Sequence, residues 1–76
     1  MEKIIGEIER TETEKVIVQV KEFKGRTYVD FRIHYLADED EWRPTQKGIT
    51  VAPALWDEFK KHVEETGNYL TAEGLI

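Results

Sequence analysis

The clearest signal along the chain is a period of two. Val16-Ile-Val-Gln-Val-Lys-Glu-Phe23 is rich in β-branched residues and reads as a strand. Arg26 to Leu36 alternates apolar and polar positions almost without a break and reads as a second, longer strand. Lys24-Gly25 between them is predicted to be a tight turn. Asp38-Glu-Asp-Glu41 interrupts the alternation as a polar loop, and two shorter strands are expected at Glu41–Arg43 and Lys47–Val51, separated by Pro44-Thr45-Gln46. Residues 3–11 suggest a further strand.

After Pro53 the period lengthens. Leu55, Trp56, Phe59 and Val63 recur at helical spacing and form one apolar stripe. Pro53 suits a first helical position, where its missing N–H is not needed. Asp57 and Glu58 suit the positive end of the helix dipole. Ala52 is a poor N-cap, and Thr50 could serve instead. Gly67 is placed to end the helix, leaving residues 68–76 as a loose tail that holds Tyr69, Leu70, Leu75 and Ile76. Strands followed by one helix define an α+β domain in which the helix covers one face of the sheet.

Alternation sorts the two best strands into faces. Val16, Val18 and Val20 pair naturally with Val29, Phe31 and Ile33 under the helix. Gln19, Lys21, Phe23, Arg26, Tyr28, Arg32 and His34 are left on the other face. A face that mixes cations with rings suits unpaired nucleic acid, since cations follow phosphates and rings stack on exposed bases. On this pattern alone, solvated charges and cross-strand packing of the rings remain the commoner explanation.

Charge complicates the picture. Of 76 residues, 16 are acidic and 11 are Lys or Arg, for a formal net charge of −5, whereas nucleic-acid binders are usually basic. The acids cluster at the ends, at Glu2, Glu7, Glu9, Glu12 and Glu14 and again at Asp57, Glu58, Glu64, Glu65 and Glu73. The bases Lys15, Lys21, Lys24, Arg26 and Arg32 sit in the middle. Local potential, not total charge, decides binding, and this asymmetry points to a basic face on an acidic protein.

The chain is one small domain, residues 1–76, and a domain this size buries only about 60% of its unfolded surface, so dimerisation is one expected remedy. There is no cysteine, hence no disulfide framework and no Cys-based zinc site. This fits a reducing, intracellular compartment, and the expected location is cytoplasmic, nucleoid-associated if bacterial. Met1 to Thr13 is charged without a long apolar run, which argues against a secretory signal or membrane span.

Other chemistry finds little support. Asp38–Glu41 lacks the glycine and spaced ligands of a calcium loop and reads as a solvated loop. His34 and His62 have no partner at metal-ligand spacing. With no Ser or Cys, and no Thr beside a His, nucleophilic catalysis is not indicated. Lys24-Gly25-Arg26 and Lys47-Gly48 are single-glycine turns, not phosphate loops. No enzyme activity, metal or cofactor is expected. Trp56 and Phe59 read as core, whereas Trp42 is a candidate for stacking on a base.

Three runs in order carry a resemblance: Glu22-Phe-Lys-Gly-Arg-Thr-Tyr-Val-Asp-Phe-Arg32, Arg43-Pro-Thr-Gln-Lys-Gly-Ile-Thr-Val51 and Pro53-Ala-Leu-Trp56. Over residues 14–66 the chain resembles the transcriptional coactivator positive cofactor 4 family, in its minimal bacterial type. The resemblance implies a four-stranded antiparallel sheet followed by one C-terminal helix, and a homodimer with two basic sheet grooves that hold single-stranded DNA. It implies contact by Phe23, Lys24, Arg26, Arg32 and Lys47, with Lys21, Arg43 and Tyr35 in support. The helix residues Leu55, Trp56, Phe59 and Val63 would then serve core and dimer. Gln46 stands where the family commonly has Arg, Tyr35 where a Trp is familiar, and Glu14 and Val16, or Lys15 in a slipped register, where the family carries basic residues before the first strand. Alternation sets Tyr35 with the core-facing positions, and a bulge near Asp38 or strong strand twist would be needed to re-aim it.

The expectation is therefore a single-stranded DNA-binding protein of little sequence preference, used in transcription or DNA maintenance. Two other readings stay open: a protein-interaction module of the transcription machinery, and an RNA-binding module.

Overall fold

The computed structural model describes residues 2–76. Four strands, β1 (Lys3–Thr11), β2 (Glu14–Phe23), β3 (Arg26–Asp38) and β4 (Glu41–Val51), pair in chain order as one antiparallel sheet. A 3₁₀ turn, Pro53–Leu55, leads into helix α1 (Trp56–Ala72). The strand at residues 3–11 is present, paired along β2.

The central hairpin has the register that alternation demands. Val16 lies opposite Ile33, Val18 opposite Phe31 and Val20 opposite Val29. The turn is Lys24-Gly25, with φ of 52° and 76°. Two successive left-handed residues give a loop whose twist matches that of the strands it joins. Glycine takes that conformation freely, while Lys24 pays a steric cost for it.

β4 differs from expectation. It is one strand, not two short ones, and Pro44 lies within it opposite His34. β4 is an edge strand, where proline's missing N–H need not break a ladder. The irregularity appears as a register jump from Arg32/Gly48 to His34/Pro44, which leaves Thr45–Lys47 bulged and without pairing partners on β3. Next to the bulge, Gly48 lies so close to β3 that a Cβ there would sit 2.4 Å from the Phe31 carbonyl oxygen.

The helix also runs past its expected end. Gly67 is interior, at a cost of about 1 kcal/mol relative to alanine, and residues 68–72 are helical. The stop is Gly74, with φ of 72°. Gly74 N–H donates to the Thr71 carbonyl at 3.1 Å and Leu75 N–H to the Leu70 carbonyl at 2.9 Å. This is the paired bonding of a Schellman motif, so the expected loose tail is largely fixed. Thr50 lies in β4 and caps nothing, and no side chain caps the helix start. Asp57 and Glu58 do occupy the first turn.

The valine face is not a closed core. Phe31 stacks on Trp56 (centroids 6.2 Å, planes 5° apart) and meets Phe59 at 5.3 Å. That aromatic trio anchors the start of α1, but no helix residue is buried. Val16, Val18, Val20, Val29, Phe31 and Ile33 are only half-buried. Among the described residues Ile17 and Val51 are the buried apolar ones. The helix thus leans on the sheet by its first turns instead of covering it.

Candidate nucleic-acid interface

Residues directly opposite one another on paired strands share a face, so the register maps the polar face. Phe23 faces Arg26, Lys21 faces Tyr28, Gln19 faces Asp30, Ile17 faces Arg32 and Lys15 faces His34. β4 adds Thr50, Gly48, Pro44 and Trp42 opposite Asp30, Arg32, His34 and Leu36, and β1 adds Glu7 opposite Ile17.

This face divides into two zones. Its middle packs on itself: Asp30 is 2% exposed, Ile17 6% and His34 7%. Arg32 spans the zone. Its Nε donates to both Asp30 carboxylate oxygens at 3.1 Å, Nη2 donates to Oδ1 at 2.9 Å, and Nη1 donates to the Thr45 carbonyl at 2.9 Å. The hydrogen bonds that Arg32 donates to Asp30 hold the guanidinium pKa above its ordinary value. His34 sits with Nδ1 3.3 Å from the Arg32 carbonyl.

The second zone is the hairpin end. Phe23 is 61% exposed, and the Lys24 ammonium lies 5.3 Å from its ring centroid. Lys24 and Arg26 are exposed, while Lys21 and Tyr28 are half-exposed just behind them. Away from that end, in the β4 bulge beside Arg32 and His34, Lys47 is exposed as well. Among the described residues, the side chains of Lys21, Lys24, Arg26 and Lys47 have no ion-pair partner. Arg10, Lys15, Arg32 and Arg43 are each matched with an acid.

Several residues expected on this face are placed otherwise. Tyr35 lies opposite Arg43, and both alternate away from Trp42 and Leu36 to the helix side of the sheet. The irregularities lie in the β3–β4 pairing, and β2–β3 pairing runs unbroken through Tyr35, so nothing turns its ring back. Arg43 pairs there with Glu41 at 3.0 Å. His34 is on the polar face but buried. Trp42 is on that face too, with the Lys15 ammonium 4.3 Å above its ring and that ammonium bound in turn to Glu7 of β1. Lys15 and Glu7 were not anticipated there. The unbroken alternation Lys15, Ile17, Gln19, Lys21, Phe23 is the signal that places Lys15.

The class of protein that emerges is a small sheet-and-helix domain with one polar sheet face, rich in rings and unpaired cations at the hairpin end, and one apolar, helix-bearing face. Residues 11–62 match the family described as Transcriptional Coactivator p15 (PC4). The chain belongs to that family. It is 38% identical over 56 residues to the RNA polymerase II transcriptional coactivator KELP of Arabidopsis thaliana, covering 74% of this chain and 33% of that protein. It is 36% identical over 47 residues to a putative RNA polymerase II transcriptional coactivator of Caenorhabditis elegans, covering 60% of this chain and 38% of that one. The chain thus spans about a third of the length of these curated relatives.

Solved structures agree on the fold. A PC4 homologue from Burkholderia pseudomallei K96243 superposes with a TM-score of 0.79 at 23% identity, covering 86% of this chain and 88% of that one. The bacteriophage T5 homologue of the eukaryotic transcription coactivator PC4, implicated in recombination-dependent DNA replication, superposes at 0.67 with 26% identity, covering 97% and 82%. Among the described residues no helix is long and apolar enough to cross a membrane.

Proposed function

We propose that this domain binds single-stranded DNA, with little sequence preference, along its polar sheet face from the hairpin end toward the β4 bulge. Membership of a transcriptional coactivator family supports a transcription-related, nucleic-acid-binding role. The observation that carries the finer reading is the set of unpaired cations Lys21, Lys24 and Arg26 around a ring, Phe23, that is left 61% exposed, with unpaired Lys47 farther along the sheet in the β4 bulge. A chain with a net charge of −5 has acids in excess, yet these cations are left unneutralised. Phosphates would supply the missing charge, and an unpaired base would cover the ring, a stacking contact typically worth about 1–3 kcal/mol. Duplex offers no open base face to that ring.

The test is Phe23→Ala measured with a fluorescent oligo-dT. Weakened binding at every salt concentration, with an unchanged salt slope, supports stacking. Unaltered affinity would remove the ring from the site. The same titration with oligo-U addresses the RNA alternative, and tighter binding to RNA would replace DNA as the ligand.

The domain is read as a homodimer. Ile5, Ile8, Ile49, Leu55, Val63 and Tyr69 are each more than half exposed, and apolar grooves flank the helix on the side of Val18, Val20 and Pro53 and on the side of Phe31 and Val63. So much exposed apolar surface marks an interaction site, and so small a core needs one. The relatives' names add a reading in which components of the transcription machinery are further partners. Replacing Glu64 and Glu65 on the exposed helix surface and measuring capture of a polymerase complex separates that role from DNA binding.

A further inference from the structure

Buried ion pairs add little net stability, because desolvation offsets most of their attraction. The Asp30–Arg32 pair therefore calls for another explanation, and its connections supply one. Arg32 is oriented by three hydrogen bonds to Asp30 and sends its remaining terminal nitrogen across to the Thr45 carbonyl at 2.9 Å. Thr45 opens the unpaired bulge of β4. Its hydroxyl donates to the Ile33 carbonyl at 2.8 Å and accepts from the Lys47 N–H at 3.1 Å. Gly48 closes the bulge by backing directly onto β3, 2.9 Å from the Arg32 Cα at its would-be Cβ. Both ends of the bulge are thus tied to β3 around Arg32, and Gln46 and Lys47 are held outward and exposed.

From this geometry, we infer that Arg32 is a positioning residue of the nucleic-acid face and not one of its phosphate contacts: Asp30 aims the guanidinium at the Thr45 carbonyl, and this fixes the bulge that presents Lys47. The inference rests on the binding reading above. It accounts for an acid, 2% exposed, in the middle of a face that meets a polyanion. Asp30 neutralises Arg32, so Arg32 has little charge to offer a phosphate, while Lys47 remains unpaired.

The experiment compares Asp30→Asn, Arg32→Lys and Lys47→Ala by anisotropy of a labelled oligo-dT across a salt series. Each phosphate contact on a single strand contributes about 0.7 to the slope of log K against log salt. The expected result is that all three variants flatten the slope by about 0.7, and that Lys47→Ala adds nothing in either of the other backgrounds. Asp30→Asn would do this despite removing a negative charge. If Asp30 acts only as a charge, its loss instead tightens binding and steepens the slope, which overturns the inference. If Arg32 touches phosphate itself, Arg32→Lys keeps the charge and the slope stays unchanged, which overturns it equally.

Amide hydrogen exchange supplies a readout that needs no DNA and also shows whether each variant is folded. The Lys47 amide should lose protection in Arg32→Lys while the β2–β3 ladder keeps it, and retained Lys47 protection would overturn the inference. A wild-type protein that failed to bind oligo-dT at all would instead defeat the binding reading, leaving the exchange result to judge the bulge alone.

Discussion

Gly48→Ala tests the closest approach in the fold. An added Cβ would lie 2.4 Å from the Phe31 carbonyl oxygen, 2.9 Å from the Arg32 Cα and 3.2 Å from the Arg32 Cβ, whereas ordinary contact begins at 3.4 Å. Two of those neighbours are backbone, so no rotamer change relieves the clash. β4 would have to retreat from β3 by about 1 Å, and ladder hydrogen bonds stretched that far are lost. Overpacking of this kind costs about 1–3 kcal/mol, and each lost bond adds about 1 kcal/mol. A total near 3 kcal/mol is a large share of the roughly 4–11 kcal/mol expected for a domain of this length. At about 4–8 °C per kcal/mol, Tm should fall by something over 10 °C. The companion variant is Gly67→Ala, at an interior helix glycine with open space around it. It should raise Tm, since alanine is favoured over glycine in a helix by about 1 kcal/mol. Both are measured by circular dichroism melts at one protein concentration, because an oligomer's Tm depends on concentration. A Gly48→Ala melt matching the parent's would refute the close β3–β4 approach, and with it the bulge geometry.

Other expectations are simpler. With Lys21, Lys24, Arg26 and Lys47 on phosphates, log K against log salt should have a slope of about −3, and Lys24→Ala should flatten it by about 0.7; an unchanged slope would remove Lys24 from the site. Trp56→Ala removes the stacking partner of Phe31 and part of the apolar face, so it should cost about 2 kcal/mol, less than the 3–5 typical of a fully buried ring, and loosen self-association in sedimentation. Tm of the parent protein should rise with concentration, as mass action requires of a dimer, and a Tm independent of concentration over a wide range would argue against one.

Much of this fold was legible in sequence because β2 and β3 obey a strict period of two. Once Lys24-Gly25 was recognised as the turn, the pairing of Val18 with Phe31 and the sorting of Phe23, Arg26 and Tyr28 onto one face followed. β4 was harder. Pro44 reads as a break, but an edge strand tolerates it, and the bulge is set by a hydrogen bond from Arg32 to the Thr45 carbonyl and one from the Thr45 hydroxyl to the Ile33 carbonyl, which no local pattern encodes. Gly67 looked like a helix end because glycine is the usual stop. The actual stop is Gly74, and Leu70 and Leu75 are the apolar pair that accompanies a Schellman motif.

In the candidate site, the unpaired cations could be named from sequence but their freedom could not. Arg32 and His34 alternate correctly onto the polar face, yet one is bound to Asp30 and the other is buried. The spacing of Asp30 and Arg32, two apart on one strand and so on one face, was the available clue that Arg32 had a partner close at hand.

The central claim is that the polar face takes single strands, and the most direct test is anisotropy of a labelled oligo-dT, with unlabelled duplex of matching length as competitor, at low and moderate salt. The account expects salt-sensitive binding that excess duplex fails to displace. Displacement by duplex at equivalent concentrations, or no binding at low salt, would contradict it.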